Sequence, residues 1–297
     1  MSNITRRDFI KQGALSLAAG SFTSVLCACQ TTKSSNLAAG GEGMLRFAHV
    51  TDTHLDLAQP KTVMWVEMLV KKINRDFPTL DFVLFGGDNF NNNVPGSDDA
   101  ITFRNTIDNL HCPSYLVRGN KESSPRPAGD QLNRSDFAKM FFPSDLHIVG
   151  SNWKLVKGNY TILGLDSTVE QHDNGVYTEK TISFAENELR NHPKRHFILL
   201  NHHPYGNFWG GTQKYDIHRY VLNNADEVKN ILFKYDNLKL TLSGHKHLDH
   251  VGKENDVAVI ATLGFVVPQD LNNKDDHRFR YIEIDNGVVS EKLISIL

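Results

Sequence analysis

Seven side chains of the types that bind metal ions fall in five short clusters, and each cluster follows a predicted β-strand. The clusters are Asp52-x-His54, Gly87-Asp88-Asn89, Gly119-Asn120-Lys121-Glu122, Asn201-His202-His203 and Gly244-His245-Lys246-His247. Their donors are oxygens and imidazole nitrogens without thiolate, which favours Mn, Fe, Co or Zn ions over a structural zinc finger. Seven ligands exceed the need of one ion and suit two ions that share a carboxylate, an arrangement that attacks phosphate esters.

The periodicity of the first half predicts a parallel sheet. Apolar runs over 45–50, 81–86 and 114–118 indicate strands, and apolar residues at helical spacing over 61–77 and 98–110 indicate the helices between them. Such a β-α-β-α-β series forms parallel strands joined by right-handed crossovers. Ligands bind beyond the carboxyl ends of these strands, so the first three clusters are expected to form one composite site.

The second half is richer in predicted strands and contains the last two clusters. Strands are predicted over 153–156, 160–166, 195–200, 239–242, 257–262, 279–284 and 288–294, and helices over 179–191 and 226–233. The strands over 195–200 and 239–242 lead into the His202 and Gly244 clusters. We find no internal repeat and predict one domain over 44–297.

Composition is that of a globular chain. Its 297 residues are 40% hydrophobic with a net charge of −2, enough for one large domain with a sizeable core. The sequence pI of about 6.7 provides no electrostatic case for a nucleic-acid partner. No apolar run reaches the length of a stable membrane span.

The first 28 residues read as an export signal. Arg6-Arg7 precedes a weakly apolar stretch from Gly13 to Ala28, which resembles a bacterial twin-arginine (Tat) signal. The alternative is a basic amphipathic first helix, which Gly13, Gly20 and many hydroxyl residues disfavour. The predicted location is therefore periplasmic or at the cell surface, with the Tat machinery as export partner.

The end of this stretch, Leu26-Cys27-Ala28-Cys29, resembles a lipoprotein cleavage box. Cleavage before Cys29 would leave it as the lipid-bearing first residue, followed by a flexible Ser-, Thr- and Gly-rich tether over 29–43. The alternative is ordinary cleavage without a lipid. Cys112 would then be the last unmodified cysteine, unable to form an internal disulfide; next to Pro113, we interpret it as a small buried apolar residue.

Read in order, the five clusters resemble the signature of the calcineurin-like metallophosphoesterases, over about residues 46–250. Asp166, Gly175 and His202-His203-Pro204 are similar to the cyclic-nucleotide phosphodiesterase-like branch. The resemblance implies an α/β fold, a four-layer αββα sandwich of two mixed β-sheets flanked by helices.

The resemblance also implies a role for each matching residue. Asp52, His54 and His247 would hold one metal ion, Asn120, His202 and His245 would hold a second, and Asp88 would bridge them; the ions would be Mn, Fe or Zn. A hydroxide between the ions would attack a phosphodiester, phosphomonoester or cyclic nucleotide bond. Glu122 would orient the site, while His203 would either approach the substrate or pack beside Pro204.

Lys121 is the departure from the family pattern, which has histidine at this position. That histidine stabilises the transferring phosphoryl group or protonates the leaving oxygen. A lysine keeps the positive charge but is a poor proton donor near neutral pH. Lys121 therefore favours phosphate clamping and motivates one alternative, a pyrophosphate-bond hydrolase of a nucleotide-linked substrate. The alternative from another class is a non-catalytic binding module on the same fold, against which the presence of all seven ligands argues.

Overall fold

The computed structural model describes residues 43–92, 94–123, 132–209, 217–266 and 276–297. The predicted signal peptide, the predicted lipid-bearing Cys29 and the tether up to residue 42 lie outside the described residues. In chain order the strands are β1 (Met44–Val50), β2 (Phe82–Phe85), β3 (Ser114–Leu116), β4 (His147–Val149), β5 (Asn152–Lys157), β6 (Tyr160–Gly164), β7 (His196–Leu200), β8 (Leu238–Ser243), β9 (His250–Glu254), β10 (Val257–Ala261), β11 (Arg278–Asp285) and β12 (Val288–Ser295). The helices are α1 (Pro60–Asp76), α2 (Asp98–Ile107), α3 (Asn120–Ser123), α4 (Arg134–Phe141), α5 (Glu179–Asn191) and α6 (Ala225–Leu232).

The strands form two mixed sheets. The first has the order β12-β11-β1-β2-β3, and the second has the order β4-β5-β6-β7-β8-β10-β9. Within the first, β1, β2 and β3 are parallel, as their helical connections predict. Within the second, β6, β7, β8 and β10 are parallel. The five strands that lead into the clusters therefore run parallel within their sheets.

Alternating side chains divide the core into three clusters. Phe47, Phe82 and Leu84 of the first sheet share a buried cluster with Ile198 and Leu240 of the second, so the sheets pack face to face. The opposite faces are covered by helices, because a sheet buried on both sides needs a second apolar layer. Helices α1, α2 and α4 pack on the first sheet, and α5 and α6 on the second. The predicted four-layer αββα sandwich is confirmed.

Some elements were not predicted from sequence. Helix α4 carries only two buried residues, Phe137 and Phe141, and its N-cap Asn133 accepts a hydrogen bond from the Asp136 N–H. Strand β4 has only three residues, and the five residues of β9 include one apolar side chain, that of Val251. Neither strand shows the apolar alternation that marks a strand. Cys112, interpreted from sequence as buried, is free and only partly buried, packed against the core of the first sheet.

Candidate metal centre

The five clusters meet at the carboxyl ends of their strands. Asp52 and His54 follow β1, Asp88 follows β2 and Asn120 begins α3 directly after β3. From the second sheet, His202 follows β7, while His245 and His247 follow β8. The seven predicted ligands thus come from two facing sheets. We refer to Asp52, His54 and His247 as site A, and to Asn120, His202 and His245 as site B.

One carboxylate oxygen of Asp52 faces site A and accepts no hydrogen bond. Its Oδ2 accepts hydrogen bonds from the Thr51 hydroxyl (2.8 Å) and from the backbone N–H of His245 (2.9 Å). Its Oδ1 is buried without a hydrogen-bond partner and lies 3.3 Å from Nε2 of His247. A buried carboxylate oxygen left unpaired is costly, and a cation bound there would remove the cost.

The tautomer of His54 follows from its neighbours. Asn91 donates through Nδ2 to Oδ2 of Asp56 (3.1 Å), so its Oδ1 faces the His54 ring. Nδ1 of His54 donates to that oxygen over 2.8 Å, which leaves Nε2 of the neutral ring with a lone pair. This Nε2 lies 3.1 Å from Nε2 of His247. The donor atoms of site A therefore converge on one small space.

Site B repeats the pattern. Nδ1 of the buried His202 donates to the Gly86 carbonyl over 2.8 Å, so Nε2 of the neutral ring carries the lone pair. That atom lies 3.1 Å from Oδ1 of Asn120 and 3.1 Å from Nδ1 of His245. Metal-binding histidines commonly donate the N–H of their other ring nitrogen to a backbone carbonyl.

Asp88 lies between the two sites. Its Oδ2 is 3.8 Å from Nε2 of His54 in site A, and its Oδ1 is 3.4 Å from Nε2 of His202 in site B. Oδ1 also accepts a hydrogen bond from the backbone N–H of Lys121 (2.7 Å). The carboxylate therefore reaches both groups, as a bridging ligand requires.

The residues fit a pair of metal ions on their donor chemistry. Imidazole nitrogens and carboxylate oxygens face one another across 3.3–3.9 Å. Protons on the histidines satisfy these contacts in the metal-free chain, and metal ions bound to the neutral rings would take the place of those protons. Burial alone would raise the pKa of the Asp88 carboxyl, but His202 and His54 outweigh burial and hold this pKa well below its usual range. Burial opposes the charging of His202, yet Asp88 raises the pKa of His202 to about 9. The cluster thus attracts positive charge strongly.

Five of the seven ligands have left-handed backbones. The φ angles of Asp52, His54, Asp88, His245 and His247 lie between 43° and 70°. This region costs a non-glycine residue roughly 1–2 kcal/mol, and such strain concentrates at functional sites where the surrounding structure enforces it. The chain accepts this conformation in the turns after β1, β2 and β8.

The three residues predicted to assist catalysis have different surroundings. Glu122 is buried and accepts hydrogen bonds from the backbone N–H groups of Asn89 and Gly119, both over 2.7 Å. Glu122 therefore links the loop after β2 to the loop after β3 and orients both. Burial and the neighbouring Asp88 raise the pKa of Glu122 to about 7. Lys121 is partly exposed beside Asp88.

His203 is buried, and both of its ring nitrogens are engaged. Nε2 donates to the Asp173 carbonyl over 3.0 Å, so Nδ1 accepts from the Ser167 hydroxyl over 2.8 Å. Burial and the neighbouring His245 and His202 hold its pKa well below the usual range. Of the two alternatives, these contacts favour packing and positioning over proton transfer.

Several residues that shape the centre were given no role from the sequence. Thr51 and Asn91 orient ligands but have the residue types of ordinary loops. Gly119 and Gly244 let the clusters approach one another, because a Cβ at either position would overlap Asp88 or Asp52. Their role depends on segments far apart in the chain.

Comparison with known proteins supports this geometry. The family model for calcineurin-like phosphoesterases matches residues 45–249. The chain is 24% identical over 220 residues to the 3',5'-cyclic adenosine monophosphate phosphodiesterase CpdA of Escherichia coli (strain K12), covering 71% of this chain and 72% of that one. It is 25% identical over 206 residues to a probable glycerophosphodiester phosphodiesterase GpdQ of Arcobacter nitrofigilis, covering 67% and 70%.

A solved structure has the same fold. A dimetal phosphatase from Danio rerio superposes with a TM-score of 0.61 at 12% sequence identity, covering 86% of this chain and 100% of that one. At this identity the likeness concerns the fold alone.

Proposed function

The chain belongs to the calcineurin-like phosphoesterase family, and on that premise we propose that it hydrolyses small phosphodiesters with two metal ions held in sites A and B. Family membership and its phosphodiesterase relatives make it a metal-dependent phosphoric ester hydrolase. The observation that carries the two-ion proposal is Asp88, whose two oxygens face Nε2 of His54 and Nε2 of His202. The ions would be Mn, Fe or Zn, which the donor set accommodates equally.

When bound, the ions would polarise a phosphoryl oxygen and lower the pKa of water, so that hydroxide is available near neutral pH. Asp88 reduces the repulsion between two cations, and the neutral imidazoles leave enough positive charge to attract a phosphate. Glu122 keeps the loops after β2 and β3 in place, and thereby holds Asp88 against Asn120. Lys121 contacts the same carboxylate through its backbone N–H and would bring a positive charge to a bound phosphate.

The relatives support a phosphodiester substrate. The Escherichia coli relative is named as a 3',5'-cyclic adenosine monophosphate phosphodiesterase and the Arcobacter nitrofigilis relative as a probable glycerophosphodiester phosphodiesterase. We propose a substrate of this class, a cyclic nucleotide or another small diester, rather than a nucleic acid. The second candidate is hydrolysis of a pyrophosphate bond in a nucleotide-linked substrate, which the replacement of histidine by Lys121 favours.

A screen of the metal-loaded protein would test this function. Cyclic nucleotides, aryl phosphodiesters, nucleotide sugars and phosphomonoesters would be compared at equal concentration, after the metal content of the purified protein is measured. We expect about two ions per chain and the highest kcat/KM on diesters. A chain that purifies without stoichiometric metal and cleaves none of the four classes would instead be a binding module.

Lys121 predicts a dependence on the leaving group. If its ammonium clamps phosphate without donating a proton, kcat should fall steeply as the pKa of the leaving alcohol rises. Lys121→Ala should lower kcat/KM roughly tenfold through the loss of one charge-assisted contact, with metal content unchanged. Lys121→His should recover activity on poor leaving groups.

The measurement compares a nitrophenyl phosphodiester with a cyclic nucleotide in the wild type and both variants. Lys139→Ala, which removes an exposed lysine paired with Asp136, is the matched control and should change neither rate. A wild-type enzyme that is indifferent to the leaving group would contradict the clamping role.

We also propose that the protein leaves the cytoplasm through the Tat pathway and is anchored by a lipid on Cys29. The support is the Arg6-Arg7 pair and the Leu26–Cys29 box in the sequence. No helix in the described part of the chain is long and apolar enough to cross a membrane. Tat carries folded proteins, so both ions could be loaded before export.

Cys29→Ser should release the protein from membrane fractions without loss of phosphodiesterase activity, because the lipid carried by that cysteine would be absent. Fractionation and immunoblotting of the wild type, Cys29→Ser and the control Cys112→Ser would measure this. Arg6→Lys combined with Arg7→Lys should leave the protein in the cytoplasm. A Cys29→Ser protein that stays in the membrane would indicate an uncleaved signal as the anchor.

A further inference from the structure

We propose that Asp173 and Arg219 are positioning residues for site B, acting through Asn120 and His245; this inference rests on the proposed two-ion function. Asp173 lies between β6 and α5, and Arg219 lies between β7 and α6. Neither belongs to the five clusters. Together they line a cavity of about 270 Å³ beside the centre, with Gln171, His172, Asn174 and His218.

Asp173 determines which end of the Asn120 amide faces the centre. An asparagine side chain can present either its oxygen or its NH₂ group, and only the oxygen can bind a metal ion. Oδ1 of Asp173 accepts a hydrogen bond from Nδ2 of Asn120 over 3.2 Å. The amide oxygen consequently faces Nε2 of His202 at 3.1 Å. A carboxylate cannot donate, so it selects this orientation of the amide.

Arg219 acts on His245 through its backbone. Nε2 of His245 donates to the Arg219 carbonyl over 2.7 Å, and a carbonyl can only accept. The neutral His245 ring therefore carries its lone pair on Nδ1, the atom that faces His202. Two of the three site B ligands thus depend on residues outside the clusters.

An ion pair joins these two contacts. A guanidinium nitrogen of Arg219 lies 3.1 Å from Oδ2 of Asp173, and both side chains are about half exposed. The backbones of the two segments are also paired, because the Asn223 N–H donates to the Gly175 carbonyl over 2.8 Å. An exposed ion pair contributes little to stability. Its effect here is on geometry, because it holds the loop that carries Asp173 next to the loop that carries Arg219.

Site A receives none of these contacts. Its ligands are oriented by Thr51 and Asn91, which belong to the loops after β1 and β2. Disturbing Asp173 should therefore weaken the ion in site B and spare the ion in site A. That asymmetry separates a positioning role from a general effect on the fold.

The test is a titration of metal-free protein with Co²⁺, followed by its visible absorption and by the number of ions bound. Asp173→Ala removes the acceptor, Asp173→Asn keeps an acceptor oxygen for Asn120, and Asp256→Ala removes an exposed carboxylate paired with Lys253. Loss of a residue that orients a ligand typically costs 10- to 100-fold in metal affinity. We expect Asp173→Ala to weaken one of the two binding steps by about that factor and leave the other unchanged.

Asp173→Asn should restore part of the weakened step, because its amide can present either an acceptor or a donor to Asn120, and Asp256→Ala should match the wild type in both steps. Equal affinities in Asp173→Ala and wild type would overturn the proposal, as would a parallel loss in both steps. An Asp173→Asn protein that loses both steps would overturn it as well. A wild-type chain that binds no Co²⁺ would instead overturn the two-ion function itself, and the positioning role with it.

Discussion

Asp88→Ala is expected to abolish phosphodiesterase activity, lowering kcat/KM by at least about 1000-fold, because one carboxylate serves both ions. Its two oxygens face Nε2 of His54 and Nε2 of His202, so neither site keeps its full set of ligands in the variant. Metal analysis should find a loss of both ions rather than of one. The kinetic measurement is made at several metal concentrations, so that weak binding is separated from loss of chemistry.

Thermal unfolding separates this effect from misfolding. Metal ions stabilise only the folded state that binds them, so adding Mn²⁺ should raise the Tm of the wild type and leave the Tm of Asp88→Ala unchanged. Asp256→Ala removes an exposed carboxylate at a φ of 65°, which costs roughly 1 kcal/mol of stability. It should nevertheless match the wild type in metal content and in the Tm rise that Mn²⁺ causes. Full turnover by Asp88→Ala would mean that the active site lies elsewhere.

Gly119→Ala is expected to reduce activity about 100-fold, because a displacement of about 1 Å in catalytic groups can cost that much. A Cβ at position 119 would overlap the backbone nitrogen and Oδ1 of Asp88. The methyl group cannot be accommodated by a flexible side chain, since one of the atoms that it meets is backbone. The loop after β2 must shift, and Asp88 with it. Overpacking of this kind also destabilises the fold by about 1–3 kcal/mol.

The control is Gly158→Ala, where the added Cβ meets nothing within 4 Å. Gly158 has a φ of 53°, so alanine there costs roughly 1 kcal/mol of backbone strain and leaves the centre intact. Chemical denaturation gives the loss of stability for each variant, and steady-state kinetics gives the loss of activity. If the loss of activity were proportional to the loss of stability in both variants, the result would contradict a specific displacement of Asp88.

Much of the architecture could be predicted because it is local. The alternation of apolar runs with helical periodicity indicates parallel strands from sequence alone, and helix α5 has the predicted bounds. Elements with little buried surface, such as β9, left no periodic signal. The ion pair between Asp173 and Arg219 joins residues 46 positions apart in the chain. At that separation the spacing of residues in the sequence does not predict a contact.

The sequence by itself determined the kinds of donor atoms and their place at strand ends, because residue type and periodicity are properties of the chain. It did not determine which oxygen of Asp52 is left unpaired, which nitrogen of each histidine carries a lone pair, or which turns adopt left-handed backbones. Those depend on Thr51, Asn91 and the carbonyls of Gly86 and Arg219. Hydrogen bonds between distant segments select tautomers and side-chain orientations, so only the tertiary structure decides them.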